Sequence, residues 1–162
     1  MLARASSTVQ YKGESQEEYL SRITHTKLNN KGIERMENLQ LADNLRVLYL
    51  YDNAVSSLEG LRSNRKLEQL HLQNNRISSI PADELTACGG LEKLLLDNNA
   101  IARVENLEKL QRLRELHISE QALTDAQQFS FAPETLEALS LSLRVLHIAG
   151  NGLRSLMEVV CL

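Results

Sequence analysis

The chain has 162 residues and a formal net charge of −3, with 18 basic and 21 acidic side chains and a pI of about 5.8. It has no basic block, which argues against direct binding of nucleic acid, and no apolar run approaches the ~20 residues of a membrane-spanning helix. The length predicts one domain, and we expect neither nucleic acid nor membrane among its partners.

Aromatic residues make up only 4% of the chain, and tryptophan is absent. A core with so few aromatic rings has to be filled by leucine and isoleucine, which favours a regular, repeated packing unit. Cys88 and Cys161 stand alone, without a CxxC pair or zinc-ligand spacing. We interpret them as free thiols of a protein in a reducing compartment.

The N-terminal residues 1–13 are expected to form a disordered or extended tail. They lack the apolar segment of a secretory signal, although the single Arg4 and the small residues leave a mitochondrial presequence as an alternative. The next segment, ESQEEYLSRI at residues 14–23, predicts a helix that caps the structure that follows.

From residue 23 onwards the sequence repeats the pattern L-x-x-L-x-L-x-x-N-x-L. Five clear copies begin at positions 45, 67, 91, 113 and 143, and a degenerate copy begins at position 23, so the steps are 22, 22, 24, 22 and 30 residues. This register is typical of a leucine-rich repeat solenoid. The predicted fold class is α/β, with short parallel strands on the concave face of a curved right-handed superhelix. Its convex face is predicted to carry 3₁₀ or short helices.

The solenoid is predicted to span residues 14–162 as one domain of about six repeats. Its long step carries an insertion at residues 122–142, where PETLEALSLS predicts a short helix that starts at Pro133. We expect Phe129 and Phe131 to anchor this insertion to the core rather than to bind a partner. No polar C-terminal cap is visible in the sequence, which predicts either a longer array or a partner that covers this end.

An asparagine recurs at the ninth position of the repeat. Its side-chain amide offers donors and an acceptor to backbone groups of the turn, where an unpaired buried group costs about 1–3 kcal/mol. Gln121 takes this place in one repeat, and its extra methylene predicts a weaker contact. We predict a structural asparagine ladder formed by Asn53, Asn75, Asn99 and Asn151.

Side chains that alternate with the strand leucines should point to the concave face. Many of them are aromatic or histidine, and aromatic side chains are favoured at the energetic centres of protein interfaces. The sequence therefore predicts a concave partner-binding face. Its predicted residues are Tyr49, Tyr51, His71, Gln73, Lys93, Leu95, Asp97, Glu115, His117 and His147.

The histidines of this face do not predict a metal site or an active site. His71 and His117 are two strands apart, about 10 Å, which is too far to share an ion. His117 and His147 lie on adjacent repeats, but the third ligand would have to be Glu115, which we expect to be separated from them along the strand. Without a Ser-His-Asp arrangement or a Gly-rich phosphate loop, we predict a protein with no catalytic activity, metal or cofactor.

The segments NLRVLYLYDN, LEQLHLQNN and LRELHISEQAL resemble the leucine-rich repeat regulatory subunits of protein phosphatase 1, and most closely their testis and ciliary type. Residues 131–154, FAPETLEALSLSLRVLHIAGNGLR, resemble the irregular insertion of that family, and the likeness covers about residues 22–156. The resemblance implies a non-catalytic scaffold that binds the phosphatase catalytic subunit through the concave face. It also implies axonemal and microtubule-associated partners, and a location in the cytoplasm and cytoskeleton at the ciliary or flagellar axoneme or basal body.

Two alternatives remain open from the sequence. One is a purely structural axonemal or dynein-associated repeat protein without phosphatase binding, because the chain has no short docking peptide of the basic-Val-x-Phe type. The other is a spliceosomal-type repeat protein that presents an RNA-binding partner, against which the acidic pI argues.

Overall fold

A computed structural model describes residues 9–153 of the chain. Its eight strands are β1 (His25–Lys27), β2 (Val47–Tyr49), β3 (Gln69–His71), β4 (Lys93–Leu95), β5 (Arg103–Val104), β6 (Glu115–His117), β7 (Ser130–Phe131) and β8 (Val145–His147). Six of them form one parallel sheet in the order β1-β2-β3-β4-β6-β8, so each repeat pairs with the next, and β5 and β7 form a separate pair. This architecture confirms the predicted leucine-rich repeat solenoid.

Each strand of the large sheet has three residues, and its central residue points into the solenoid. Leu48, Leu70, Leu94 and Leu116 occupy this central register and are fully buried. Parallel strands lie about 4.8 Å apart, so these leucines form a continuous stack, and burial of each contributes about 1.5–3 kcal/mol. In the degenerate first repeat Thr26 takes this place, and its buried hydroxyl has no hydrogen-bond partner among the described residues.

The convex half of each coil closes the core from the other side. Ile77, Ile80 and Leu85 are at most 1% exposed, as their spacing predicts. The chain crosses this side mainly through separate turns, such as those in which Leu110 N donates to Leu107 O at 2.9 Å. The predicted row of 3₁₀ or short helices is therefore only partly present. Within residues 9–153 a 3₁₀ helix forms at Leu39–Leu41, and elsewhere coils of 22–24 residues leave room for little more than turns.

The insertion adds a second, two-stranded parallel sheet that the sequence did not predict. Strand β7 pairs with β5 in the register Arg103 with Ser130 and Val104 with Phe131. Phe131 is 7% exposed, and its ring meets that of Phe129 edge to face at a centroid distance of 5.5 Å. Both phenylalanines thus anchor the insertion to the core, as expected.

Helix α2 of the insertion spans Pro133–Ser140 and starts with Pro133 in its first turn, as the sequence predicts. Its buried face presents Leu136 and Leu139 to the core. The hydroxyl of Thr135 donates a hydrogen bond to the carboxylate of Glu108 in the preceding coil. The insertion is therefore an additional layer on the convex side and leaves the register of the large sheet unchanged.

At the N-terminal end, helix α1 spans Gln16–Ser21 and lies at the position of the predicted capping helix. Ser15 and Glu18 form a reciprocal capping box at its start, which satisfies two backbone donors. Tyr19 and Leu20 are buried against the first repeat. The helix therefore covers the apolar end of the solenoid.

Arg22 holds the chain that precedes this helix. Its Nε lies 2.6 Å from Oε1 of Glu14, and its guanidinium stands 4.3 Å from the ring centre of Tyr11. Residues 1–8 of the predicted tail lie outside the described residues, and so do residues 154–162, for which the sequence predicts no polar cap. None of the helices within residues 9–153 has the length and hydropathy needed to cross a membrane.

Candidate protein-binding surface

The turn after each strand of the large sheet is held by a ladder of buried or partly buried side-chain amides. Nδ2 of Asn99 donates to Leu72 O in the preceding coil at 3.0 Å and to Leu96 O in its own turn at 2.9 Å. A third, longer contact of Nδ2 goes to Asp97 O at 3.4 Å, and Oδ1 accepts a hydrogen bond of 3.0 Å from Ile77 N. Each amide therefore ties its own coil to the one before it. Cross-coil hydrogen bonds of the same kind are made by Asn53, Asn75 and Asn151.

Gln121 continues this ladder with one hydrogen bond fewer than Asn99. Its Oε1 accepts from Ile101 N, and its Nε2 donates to Leu96 O and Ser119 O, all at 3.0 Å. It does not reach Ile118 O, three residues back in its own turn, to which Asn151 donates at 2.7 Å. The predicted weaker contact thus amounts to the loss of one hydrogen bond, and the cross-coil contacts of the rung are kept.

In each repeat, the residue just before the ninth position, where the ladder amide stands, has a left-handed backbone with φ between 53° and 72°. Asparagine, aspartate and glycine tolerate this conformation, whereas other side chains are strained in it. The repeat pattern does not specify the residue at this left-handed position. In five of the six repeats, however, the residue there is Asn, Asp or Gly, which is a sequence signal for the left-handed backbone. The column consists of Asn30, Asp52, Asn74, Asn98, Glu120 and Gly150.

This scaffold brings the predicted partner-binding residues to the concave side of the sheet. Lys27, Tyr49, His71, Leu95 and His117 follow one another across adjacent strands in direct register. Tyr49 and His71 are half-buried, whereas Leu95 is only 6% exposed and offers a partner little area. That these residues bind a partner stays a prediction. Leu95 is the weakest candidate among them, because so little of its side chain is exposed.

Aromatic rings dominate the N-terminal half of this face. The rings of Tyr49 and Tyr51 meet edge to face at 6.5 Å, and the Tyr49 and His71 rings are 4.6 Å apart. Beside them lies an open cavity of about 390 Å³, which Gln73 and Asp97 also line. This half can therefore receive a protruding side chain of a partner.

Charged groups dominate the C-terminal half. Lys93 Nζ lies 2.8 Å from Glu115 Oε2, and Glu115 Oε1 lies 2.9 Å from Nε2 of His117. The expectation that Glu115 is separated from His117 along the strand is therefore wrong. Residues two apart on a strand share a face and are separated by about 6.6 Å, a gap that a glutamate and an imidazole bridge.

The histidine contacts do not form a metal site. Nε2 of His117 is close to Glu115 but is not aligned with it as a hydrogen bond, so the contact is electrostatic. The ring of His117 instead stacks on that of His147 at a centroid distance of 3.9 Å and an interplanar angle of 20°. Stacked rings direct their nitrogen lone pairs side by side rather than toward a common point. Within residues 9–153 no group of three or more His, Cys, Asp or Glu side chains is arranged to hold a metal ion.

The environment shifts the pKa of two side chains on this face. Burial, together with the nearby charge of Lys93, lowers the pKa of His71 below its ordinary value of 6.5. The hydrogen bond from Lys93 lowers the pKa of Glu115. At neutral pH the face therefore presents a neutral imidazole at His71 beside an ionised Glu115.

Cys88 lies in the core rather than on this face. Its thiol packs against the carbonyl oxygens of Leu61 and Asn64, at 3.8 and 3.6 Å. Burial raises the pKa of the thiol to about 11, so the reactive thiolate is scarce at neutral pH. The position indicates a packing residue rather than a nucleophile.

Comparison with known proteins agrees with this fold. A family model described as leucine-rich repeats in two copies matches residues 43–86. The leucine-rich repeat ectodomain of the receptor kinase SOBIR1 from Arabidopsis thaliana is similar, with a TM-score of 0.62 and 22% identity over 80% of this chain and 71% of that chain. A leucine-rich repeat protein of Leptospira interrogans is similar, with a TM-score of 0.57 and 23% identity over 72% of this chain and 28% of that chain. The chain therefore carries leucine-rich repeats folded as a solenoid, and it spans less than a third of the Leptospira protein.

Proposed function

We propose that the protein is a non-catalytic scaffold that binds a partner protein on the concave face of its solenoid. The observation that carries this proposal is the partly exposed group of rings formed by Tyr49, Tyr51 and His71 on two adjacent coils. Tyrosine is enriched among the residues that dominate binding energy at protein interfaces, where lysine and glutamate are depleted. The N-terminal half of the face thus has the composition that is typical of a binding site, and charged groups lie beside it in the C-terminal half.

The sheet also holds these side chains in place before a partner arrives. Each inner strand of the large sheet, β2, β3, β4 and β6, is hydrogen-bonded to a neighbour on both sides, and the following turn is tied to the preceding coil by the amide ladder. Binding to a preorganised surface costs less conformational entropy than binding to mobile loops. A rigid concave sheet is therefore suited to recognition of a folded partner.

As partners we propose the catalytic subunit of protein phosphatase 1 and axonemal or microtubule-associated proteins. The support is the resemblance of the repeats, and of residues 131–154, to the ciliary regulatory subunits of that phosphatase. The proposed location follows from the same resemblance: the cytoplasm and cytoskeleton, at the axoneme or basal body of a cilium or flagellum.

A second candidate function is a structural role in the axoneme without phosphatase binding. Residues 46–49, RVLY, are the nearest approach to a basic-Val-x-Phe docking peptide. Their last three residues form strand β2, and Val47 is 5% exposed. The segment cannot be released to dock in a groove without breaking the sheet, which favours a role that does not use it.

Direct titration of the purified chain against recombinant phosphatase catalytic subunit separates the two candidates. We expect the wild-type chain to bind and the double variant Tyr49→Ala/Tyr51→Ala to bind at least about 30-fold more weakly, since loss of a hot spot costs about 2 kcal/mol or more. The matched control is Glu137→Ala/Leu141→Ala, which removes two exposed side chains of helix α2 and its C-terminal end. Urea unfolding of all three proteins shows whether the solenoid is intact.

Each result decides between the candidates. Binding lost only in the tyrosine variant, with the solenoid intact, supports a phosphatase scaffold that uses the concave face. Equal binding of the wild type and both variants moves the phosphatase site away from this face. No binding by any of the three proteins removes the phosphatase from the proposal and leaves the structural candidate.

A further inference from the structure

The cavity on the concave face, named here the tyrosine cradle, has properties that define the chemistry of its occupant. It lies across the second, third and fourth coils and has a volume of about 390 Å³. Its walls include Tyr49, Tyr51, His71, Gln73 and Asp97. Tyr51, Gln73 and Asp97 are each the second residue after a strand in neighbouring coils, and therefore lie side by side.

The cradle contains hydrogen-bond acceptors that the chain leaves unused. Within the described residues, Oε1 of Gln73 is covered from solvent and receives no hydrogen bond. The hydroxyls of Tyr49 and Tyr51 have no hydrogen-bond partner in this part of the chain either. A buried acceptor without a donor is costly, so a guest that supplies N–H groups gains from filling the cradle.

The charge of the cradle is also uncompensated by a lysine or arginine. Oδ1 of Asp97 accepts a hydrogen bond of 2.9 Å from Ser119 N, and its Oδ2 lies 3.7 Å from Nδ1 of His117. Lys93, a cation on the same face, is engaged by Glu115 at 2.8 Å. A carboxylate held in place by a backbone donor thus faces a space that no ammonium or guanidinium group of the described chain occupies.

The imidazole of His71, the third ring of the cradle, carries no positive charge that would repel a cation. Burial lowers the pKa of His71, with Lys93 as the second cause, so the imidazole is neutral at pH 7. Its ring lies 4.6 Å from that of Tyr49. Neutral aromatic faces attract cations through the negative potential above the ring.

We propose that the tyrosine cradle binds an arginine side chain that projects from the partner protein. The inference rests on the proposed function and names the partner feature that the concave face recognises. The guanidinium lies against the tyrosine rings, donates to Gln73 Oε1 after a small shift of that side chain, and pairs with the carboxylate of Asp97.

Arginine fits these observations better than lysine does. Its planar guanidinium has five N–H donors in a fixed fork and stacks on aromatic rings, whereas the lysine ammonium is a compact and strongly hydrated point charge with three donors. The acceptors of the cradle are spread over three coils, about 4.8 Å apart from one coil to the next. A broad planar donor reaches more of them at once.

The test uses small probes in place of the unidentified partner. N-acetyl-arginine-N-methylamide is titrated into the isotopically labelled full chain of 18.3 kDa, and backbone amide shifts are followed by NMR spectroscopy. The matched probes carry lysine, or citrulline, a neutral group with nearly the shape of arginine. We expect saturable shifts at residues 49–51, 71–73 and 97–98, with the arginine probe bound about tenfold or more tightly than either of the others.

Two variants of the chain test whether the charge of Asp97 is responsible for binding the arginine probe. Asp97→Asn keeps an oxygen for Ser119 N but removes the charge, and we expect the arginine probe to bind about tenfold more weakly to it. Asp83→Asn makes the same change at a convex, 75% exposed side chain and should leave binding unchanged. Equal binding of the citrulline or lysine probe, equal binding by Asp97→Asn, or shifts outside the cradle would overturn the inference. If the arginine probe fails while Tyr49→Ala/Tyr51→Ala still loses a protein partner, the cradle inference falls and the scaffold function stands.

Discussion

Nδ2 of Asn99 donates a hydrogen bond of 3.0 Å to the carbonyl oxygen of Leu72, one coil earlier in the solenoid. The same amide serves Leu96 O and Ile77 N, and Asn99 is 2% exposed. One side chain thus satisfies buried backbone groups in three segments that the sequence separates. The turns of the concave face are therefore held by these amides, in addition to the leucine stack beneath the strands.

The substitution Asn99→Ala should destabilise the protein by about 2–4 kcal/mol, because several buried backbone groups lose their partner at once. Urea unfolding followed by circular dichroism measures the change. Asn29→Ala is the control, since Asn29 lies on the same face and makes no side-chain hydrogen bond within the described residues. A loss for Asn99→Ala no larger than that of the control would contradict the role of the ladder.

Glu120 occupies a left-handed backbone position, with φ of 55°, where the equivalent residues are asparagine, aspartate or glycine. A side chain such as glutamate costs about 1 kcal/mol there relative to a tolerant residue, so Glu120→Asn should stabilise the protein by about 0.5–1 kcal/mol. The reverse substitution Asn98→Glu, at φ of 53°, should destabilise it by a similar amount. Urea midpoints of both variants on the same side of the wild type would refute this explanation.

Gly60 and Gly13 provide a matched pair for the effect of close packing. Both have positive φ, of 108° and 87°, but an added Cβ at Gly60 would collide with Met36 O, whereas the space around Gly13 is open. Gly13→Ala should therefore cost about 1 kcal/mol in backbone strain, and Gly60→Ala at least about 2 kcal/mol. Thermal and urea unfolding check the order, and equal losses would show that the coil can relax around position 60.

Stability should fall on acidification through the range in which His71 titrates. Its folded-state pKa lies below the ordinary value of 6.5, so between the two values the unfolded chain binds more protons, and stability rises with pH there. The contribution is fully present above pH 6.5 and is lost as the pH falls toward the folded-state pKa. Urea midpoints measured from pH 5 to 8 should fall less steeply for His71→Gln than for the wild type, and parallel curves would rule out His71 as a source.

The Cys88 thiol should be protected from alkylation in the native state, since it is fully buried and its pKa is raised to about 11. In a Cys161→Ser background, a thiol reagent at pH 8 should label the protein only after urea is added. Mass spectrometry measures the labelled fraction. Rapid labelling of the native protein at a rate close to that of the unfolded chain would show that the third and fourth coils open readily.

The repeated leucines predicted most of the fold because each coil buries the same positions. Leu48, Leu70 and Leu94 take the same position in successive repeats, and parallel pairing brings them into one stack. The pairing of β5 with β7 could not be predicted in this way. It depends on how the insertion returns to the solenoid, and two-residue strands such as Ser130–Phe131 carry almost no periodic signal.

The candidate site was predicted in outline but not in its contacts. Strand alternation predicts that Tyr49 and His71 share the concave face, whereas the ion contact of Glu115 with His117 depends on rotamers that spacing does not specify. Repeat spacing gives no information on exposure either. Leu95 is only 6% exposed, although it stands in register with His71 and His117 on the concave face. The pattern of residue types therefore identifies which side chains share the face. Their ion contacts and exposure depend on how side chains of neighbouring coils pack together.

The central claim is that the concave face holds the partner, and quantitative affinity capture from ciliated cells tests it most directly. Tagged wild-type chain, Tyr49→Ala/Tyr51→Ala and the control Glu137→Ala/Leu141→Ala are used side by side, and the bound proteins are quantified by mass spectrometry. We predict a defined set of axonemal proteins or phosphatase catalytic subunit that the wild type and the control retain and the folded tyrosine variant loses. Recovery of the same proteins in the same amounts by all three chains would contradict the claim.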